Sequence, residues 1–387
     1  MKLFRTGWPR IADMLSPLEN NLTALRLVAA LCVVVSHAAL LKTGYEEAEP
    51  LAGVMTYTLG EHALHAFFYI SGLTIAASLA RSTSVVDFAT ARILRIWPAL
   101  MIVSGILALA VGPLLGQLPI ADYFRDTSWS AYLASAPLLA TSGKGLAGLF
   151  VDSPLLPIAN GAPWTLKYEV ICYIVLAFGM VLGGKARMRT ALWVPVLTLA
   201  AGLWMMKLPP EARETYIDHI ARLWFAFGLG VITWQAADKL RPSVLIMAGL
   251  GFDLWLALGG PFERPLSVMF VASIVLVFAA IPAAGLRRLT NKIDLSYGVY
   301  IVAWPVTQII VEKAPLLPLW AVMVAAVVVS MVLAYASWTF IEKPALGLRP
   351  YIAGSLHQAG RGCRDLFSAM RAKLLRKNAI LDSTPGK

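Results

Sequence analysis

The 387-residue sequence predicts an all-α fold, a polytopic membrane helix bundle of about ten transmembrane helices with both termini cytoplasmic. Three observations carry this prediction. Hydrophobic residues make up 58% of the chain and charged residues only 14%. Apolar stretches repeatedly reach the length of about 20 residues that a helix needs to cross a bilayer. The connectors between those stretches alternate in charge, as the positive-inside rule requires.

The first span, 22–42, follows a charged stretch and itself contains Arg26, so it is expected to remain as an anchor rather than to be cleaved as a signal peptide. An acidic connector with Glu46, Glu47, Glu49 and Glu61 leads to the second span, 62–81, where Ser71 and Gly72 are small enough for neighbouring helices to approach closely. Arg81, Arg92 and Arg95 precede the third span, 97–116. The connector 117–163 carries Asp122, Asp126 and Asp152 and contains Gly and Pro. Its one apolar stretch, 129–140, is too short for a crossing and reads as a re-entrant or interfacial helix. The fourth span, 164–184, opens with PWTLKYEV, and Lys185, Arg187 and Arg189 separate it from the fifth, 190–206. Glu211, Glu214 and Asp218 precede the sixth, 220–237, and Lys239 and Arg241 precede the seventh, 242–259. The eighth, 265–284, is followed by Arg287, Arg288 and Lys292. The ninth, 295–312, holds Pro305 in its interior, where loss of a backbone hydrogen bond predicts a kink. The tenth covers 317–340.

The basic connectors are therefore expected in the cytoplasm and the acidic ones outside. The chain divides into an N-terminal segment (1–21), a membrane domain (22–345) and a basic cytoplasmic tail (346–387). In the tail, Leu366, Met370 and Leu374 fall at helical spacing among Arg371, Lys373, Arg376 and Lys377. Two readings suit that pattern equally, an amphipathic helix on anionic lipid and a solvated tail.

The formal charge of +11 does not indicate a nucleic-acid binder, because the basic residues lie in connectors and tail rather than along one aromatic-lined surface. Cys32, Cys172 and Cys363 have neither disulfide nor metal-ligand spacing, and no metal is expected. No connector is long enough for an ordinary soluble domain, so any chemistry must use the spans.

Within the spans, ionisable side chains are costly and mark candidate sites. Arg26 and His37 are eleven positions apart, which places both on one stripe of the first helix about 16 Å apart along its axis, although an arginine so near the cytoplasmic end equally suits simple snorkelling to the interface. Glu169 lies about five residues inside the fourth span, at the same expected depth as His37 in a helix running the other way. An imidazole beside a carboxylate suits general-base catalysis on a hydroxyl, and a structural polar pair gluing two helices is the competing reading. Arg92 and Arg95 share a helical face, where two guanidinium forks suit phosphate groups, although ordinary positive-inside residues look the same. Trp164, Tyr168 and Ser71 are candidates for acceptor contacts. His62 and His65, at the outer start of the second span, can approach an acceptor or be plain interfacial residues. Lys167, Arg222 and Asp253 read as edge or cavity charges.

Several of these segments together resemble the acyltransferase-3 family of membrane O-acyltransferases. LTALRLVAALCVVVSH is similar to that family's first-helix signature, FFYISGLTI to its second-helix motif, RILRIWPAL to its Arg-x-x-Arg approach to the third helix, and PWTLKYEV to its Trp-x-Leu-x-x-Glu motif. SYGVYIVAWP and FIEKP resemble its closing segments. The likeness runs in order from about residue 21 to 345. It implies a ten-helix enzyme of the bacterial cytoplasmic membrane that moves an acyl group, usually acetyl, from acetyl-CoA in the cytoplasm to a hydroxyl on an outward-facing or lipid-linked glycan. Expected partners are therefore acyl-CoA, a glycan acceptor and membrane lipid, with no nucleic acid. The resemblance implies that Arg26 and His37 are essential, that Arg92 and Arg95 bind the donor, and that Glu169 belongs to the acceptor site. Two departures stand out: Ala303 where the family commonly has histidine, and Leu73 where phenylalanine is usual. A transporter or flippase for a polyprenyl-linked sugar or other anion is the alternative. It expects paired broken helices, whereas only the ninth span is clearly interrupted.

Overall fold

A computed structural model of the chain describes residues 8–16, 19–82, 84–155, 157–208 and 215–358. Helices account for all regular structure among these residues. The long ones are α1 (Leu22–Thr43), α2 (Leu59–Arg81), α3 (Val85–Ile106), α4 (Leu166–Gly183), α5 (Trp193–Lys207), α6 (Tyr216–Gln235), α7 (Val244–Ala257), α8 (Glu263–Ala280), α9 (Ala284–Lys292), α10 (Ser296–Lys313) and α11 (Leu319–Ser337).

Each of the ten expected spans coincides with a helix, but seven of the described helices are both long and apolar enough to cross a membrane. Three expected spans fall short for different reasons. In α6, Asp218, His219 and Arg222 depress the hydropathy of the first turns. The apolar α7 is 14 residues long, about 21 Å of helix against a hydrocarbon core of about 30 Å. The helix α10 meets the amphipathic α9 at a 70° bend, and the two reach the criterion only as a broken pair. That bend sits at 293–295 and not at Pro305, through which α10 runs unbroken. Asp294 stabilises the corner, its Oδ1 accepting from the backbone N–H and the hydroxyl of Ser296.

Local sequence explains the helix ends that matter for the site. Gly44 closes α1 in the left-handed conformation, φ +79°, where its N–H reaches the Leu40 carbonyl. Thr58 and Glu61 form a capping box at the start of α2, each side chain accepting from the other's backbone N–H. This fixes the Glu61 carboxylate at that end of the bundle. Ser84 caps α3, which continues through a π-helical stretch, Leu107–Val111, to Leu115. The hydroxyl of Tyr123 donates to the Ala108 carbonyl within that stretch. The 129–140 region forms a short helix, Ser128–Ser135, and does not cross. Past α11, a second π-helical stretch, Trp338–Glu342, precedes the short helix Lys343–Gly347.

The core is organised around α2, whose most extensive partner is α6. Their backbones nearly touch: a Cβ added to Gly72 would lie 1.9 Å from the Phe227 carbonyl oxygen. On the other side, α1 packs between α2, α10 and α11. The tail positions Leu366, Met370, Leu374, Arg371, Lys373, Arg376 and Lys377 lie outside the described residues, as does Cys363.

Candidate active site

Two polar cavities enter the bundle from opposite ends and meet at a constriction. The first, about 440 Å³, opens among the basic connectors and is lined by Arg26, Arg92, Arg95 and Arg349 with Thr23, Ser71, Glu169, Tyr173, Asn291, Asp294 and Trp338. The second, about 470 Å³, opens among the acidic connectors and is lined by His37, Glu46, Glu49, Glu61, Trp164, Lys167, Tyr168, His219, Arg222, Tyr300 and Trp304. A neck of about 40 Å³ lies between them, bounded by Arg26, Glu169 and Tyr297, shared with the basic-end cavity, and by Leu64 and Tyr300, shared with the acidic-end cavity. A larger groove of about 720 Å³, around Val175, Phe178, Leu182 and Trp193, has no titratable side chain described along it and offers no chemistry.

The eleven-residue spacing on α1 explains why one helix serves both cavities, since Arg26 and His37 share a stripe but lie about three turns apart. His37 packs edge-on against Trp304, ring centroids 4.9 Å apart, and its Nδ1 is buried with no hydrogen-bond partner. Next to it on α1, the Ser36 hydroxyl donates to Glu49 and accepts from the Gly60 N–H at 3.1 Å. This ties the acidic connector to the start of α2. Burial, reinforced by Glu61 and Glu46, pushes the Glu49 carboxyl up to about 7, although hydrogen bonds from Ser36 and Thr58 pull the other way. Glu61 is paired with Arg222, which also bonds the Nδ1 of His219 at 3.1 Å. Trp164 and Tyr168 stand edge to face at 5.7 Å, and Lys167 lies over the Tyr168 ring. Such aromatic faces bordered by carboxylates and cations give a surface of mixed apolar and hydrogen-bonding character.

The expected pairing of His37 with Glu169 is not made. Equal depth in two helices sets height but leaves the direction of each side chain around its helix free. Glu169 points into the neck and the basic-end cavity, where its Oε1 accepts from Ser71 at 3.1 Å and from the Tyr173 hydroxyl. No hydrogen bond joins it to His37 among the described residues. Ser71 consequently sits apart from Trp164 and Tyr168, with which sequence reasoning grouped it.

Arg92 and Arg95 do share a cavity, yet their surroundings differ. Arg95 spends its guanidinium on Asp294 at 2.6 Å and Glu342 at 3.2 Å, with the rings of Tyr297 and Trp338 flanking it. Arg92 lies against the Phe88 ring, and its buried Nε has no partner. His62 and His65 belong to neither cavity. They are buried with Tyr57 near the ion pair of Arg264 and Asp218, so they form part of the core. Cys172 is buried, Cys32 half-buried, and neither lines a polar cavity. Among the described residues, no group of His, Cys, Asp and Glu could hold a metal ion.

Sequence reasoning missed Glu49, Tyr300, Trp304, Asp294, Glu342 and Arg349. Tyr300 and Trp304 had a local signal in the SYGVYIVAWP segment, and Glu342 in FIEKP. Glu49, Asp294 and Arg349 are brought to the cavities by contacts between distant segments, and Glu342 meets Arg95 behind the basic-end one.

Chemically, the two cavities can admit an anionic, phosphate-bearing molecule from the basic end and a polar hydroxylic one from the other. Their reactive ends would meet at a neck with a base on one side.

Residues 19–339 match the sequence profile of a family described as an acyltransferase domain. An "O-acetyl transferase" of Shigella phage Sf6 is 27% identical over 347 residues, 84% of this chain and 95% of that protein. "Nodulation protein 10" of Rhizobium leguminosarum bv. viciae is 27% identical over 361 residues, 86% and 94% of the two chains. No solved structure matches the chain significantly.

Proposed function

The chain belongs to the acyltransferase-3 family, and from that premise we propose that it moves an acyl group from acyl-CoA in the basic-end cavity to a glycan hydroxyl in the acidic-end cavity. The single observation that carries this reading is the pair of opposed polar cavities joined by a neck, with Arg26 at the neck and His37 beyond it. Acetyl is the acyl group favoured by likeness to the phage O-acetyl transferase. The basic end then faces the cytoplasm of a bacterial inner membrane, and the ten helices that coincide with expected spans leave both termini on that side.

In this reading the phosphates of the donor lie among the arginines of the basic-end cavity, and its flexible arm passes Arg26 through the neck. An arm of about 16 Å covers the rise from Arg26 to His37. An acceptor sugar rests against Trp164 and Tyr168, whose faces take its apolar surface while Glu49, Lys167 and Glu61 offer hydrogen bonds. His37 takes the proton of the attacking hydroxyl, the new ester C–O bond forms at the thioester carbonyl, and the C–S bond breaks. The thiolate leaves as free CoA once protonated. Glu169 acts from the donor side of the neck. There Ser71 and Tyr173 orient its carboxylate near Arg26, so it is a positioning residue rather than the imidazole's partner.

The test is acyl transfer by purified protein, followed as CoA release. His37→Ala, correctly inserted, is expected to lose roughly 10²- to 10⁴-fold in turnover with little change in donor KM. Transfer at the normal rate would remove His37 from the mechanism. Absence of CoA release from the unaltered protein, supplied with acyl-CoA and envelope glycan, would favour a carrier instead.

A further inference from the structure

We propose that Arg349 binds the terminal phosphate at the nucleotide end of the donor, at the rim of the basic-end cavity. This inference rests on the acyl-CoA reading above and assigns one position within it.

The four arginines lining the cavity are not equivalent. Arg95 is committed to Asp294 and Glu342. Arg26 also lines the neck, at the cavity's inner end. Arg92 lies deep, with a buried, unpartnered Nε. Arg349 alone of the four is exposed. No carboxylate pairs with Arg26, Arg92 or Arg349 among the described residues. The cavity therefore offers three uncommitted guanidinium groups graded in depth from neck to rim.

A coenzyme thioester is graded in the same way, with the acyl group at one end, then the pantetheine arm, the diphosphate and the 3′-phosphate of the nucleotide. With the thioester past the neck toward His37, the arm passes Arg26, the diphosphate lies among the arginines of the basic-end cavity and the nucleotide end reaches the rim. Arg349 supplies there the fork geometry that a phosphate monoester favours.

The rim position is also held in place. Arg349 follows the short helix Lys343–Gly347, and Leu346 lines the cavity beside it. Downstream, His357 Nε2 bonds Asp87 Oδ1 at 3.1 Å and Ser84 Oγ at 3.2 Å. The segment after α11 is thus tied to the start of α3, the helix that carries Arg92 and Arg95. It also lies past residue 339, where the family match ends. A lipid headgroup phosphate offers the same chemistry to an exposed arginine at a membrane boundary, so the experiment separates the two sources.

Full-length protein in nanodiscs of zwitterionic lipid is assayed with acetyl-CoA and with acetyl-dephospho-CoA, which lacks only the 3′-phosphate. Arg349→Ala is expected to raise the KM for acetyl-CoA roughly tenfold to hundredfold at nearly constant kcat. Arg349→Lys is expected to recover part of that loss. With acetyl-dephospho-CoA, the variant and the unaltered protein should coincide. An equal effect on both donors, or no effect on either, overturns the assignment, and an equal effect that appears only in anionic lipid assigns Arg349 to a headgroup. Failure of the unaltered protein to use either thioester would instead overturn the acyl-CoA reading itself.

Discussion

Replacing Arg95 separates a structural guanidinium from a donor-binding one. Its fork bonds Asp294 at 2.6 Å and Glu342 at 3.2 Å, and the Glu342 side chain is only 2% exposed. Glu342 has one other hydrogen bond, from the Ser337 hydroxyl at 3.0 Å. Arg95→Met removes the cation and leaves two carboxylates facing each other in the bundle. Breaking a buried pair from one side costs about 3–5 kcal/mol, because the remaining charge has lost its solvation and its partner. Arg92 makes no ion pair among the described residues, so Arg92→Met should cost far less. Thermal unfolding of the purified protein, read alongside donor KM, gives both answers. Arg95→Met should lower the melting midpoint sharply, and adding Asp294→Asn with Glu342→Gln should restore most of it, since neutralising both partners removes the source of the penalty. Arg92→Met should keep the midpoint and raise donor KM. If Arg95→Met keeps its midpoint and raises donor KM as Arg92→Met does, the ion-pair argument is refuted.

Two further perturbations probe the rest of the framework. The Glu49 carboxyl is raised from its ordinary value of 4.5 to about 7 by burial, so the folded protein holds a proton that the unfolded chain releases across that window. Its contribution to stability is full below about pH 4.5 and is lost as pH rises through about 7. The melting midpoint should fall over this range, and Glu49→Gln should remove that part of the slope; an identical slope in the variant would contradict the argument. Gly72→Ala would place a Cβ 1.9 Å from the Phe227 carbonyl oxygen, and the two helices must separate to admit it. Overpacking of this kind costs about 1–3 kcal/mol, whereas Gly105→Ala, with nothing within 4 Å of its added Cβ, should be neutral or stabilising. Equal melting midpoints for these two alanine variants would show that α2 and α6 are not in tight contact.

Some of the site was legible without coordinates because it depends on a single helix. The eleven positions between Arg26 and His37 set both their common stripe and their separation, and the cavities indeed take one residue each. Trp164 and Tyr168, named as acceptor contacts from the sequence, do line one cavity together, but Ser71, named with them, lines the other. Glu169 was expected beside His37 and instead lines the other cavity. Counting residues from a membrane boundary yields depth, while the direction of a side chain depends on how α4 is rotated against α2. That rotation is expressed in the bonds from Ser71 and Tyr173. Arg95 shows the same limit over a longer range, since its partners lie 199 and 247 residues away along the chain.

Hydropathy and charge by themselves determined where the helices form, which ends of the bundle are basic and acidic, and which spans carry ionisable groups. These properties follow from transfer free energies that each segment carries wherever it is placed. Tertiary packing alone decided that the polar groups divide between two cavities with a narrow neck, that Arg95 is consumed by Asp294 and Glu342, and that Arg349 returns to the rim. Each of these depends on rotations and contacts between helices far apart in the chain. In such contacts, close packing and the cost of an unpaired charge select one arrangement among many with the same hydrophobic pattern.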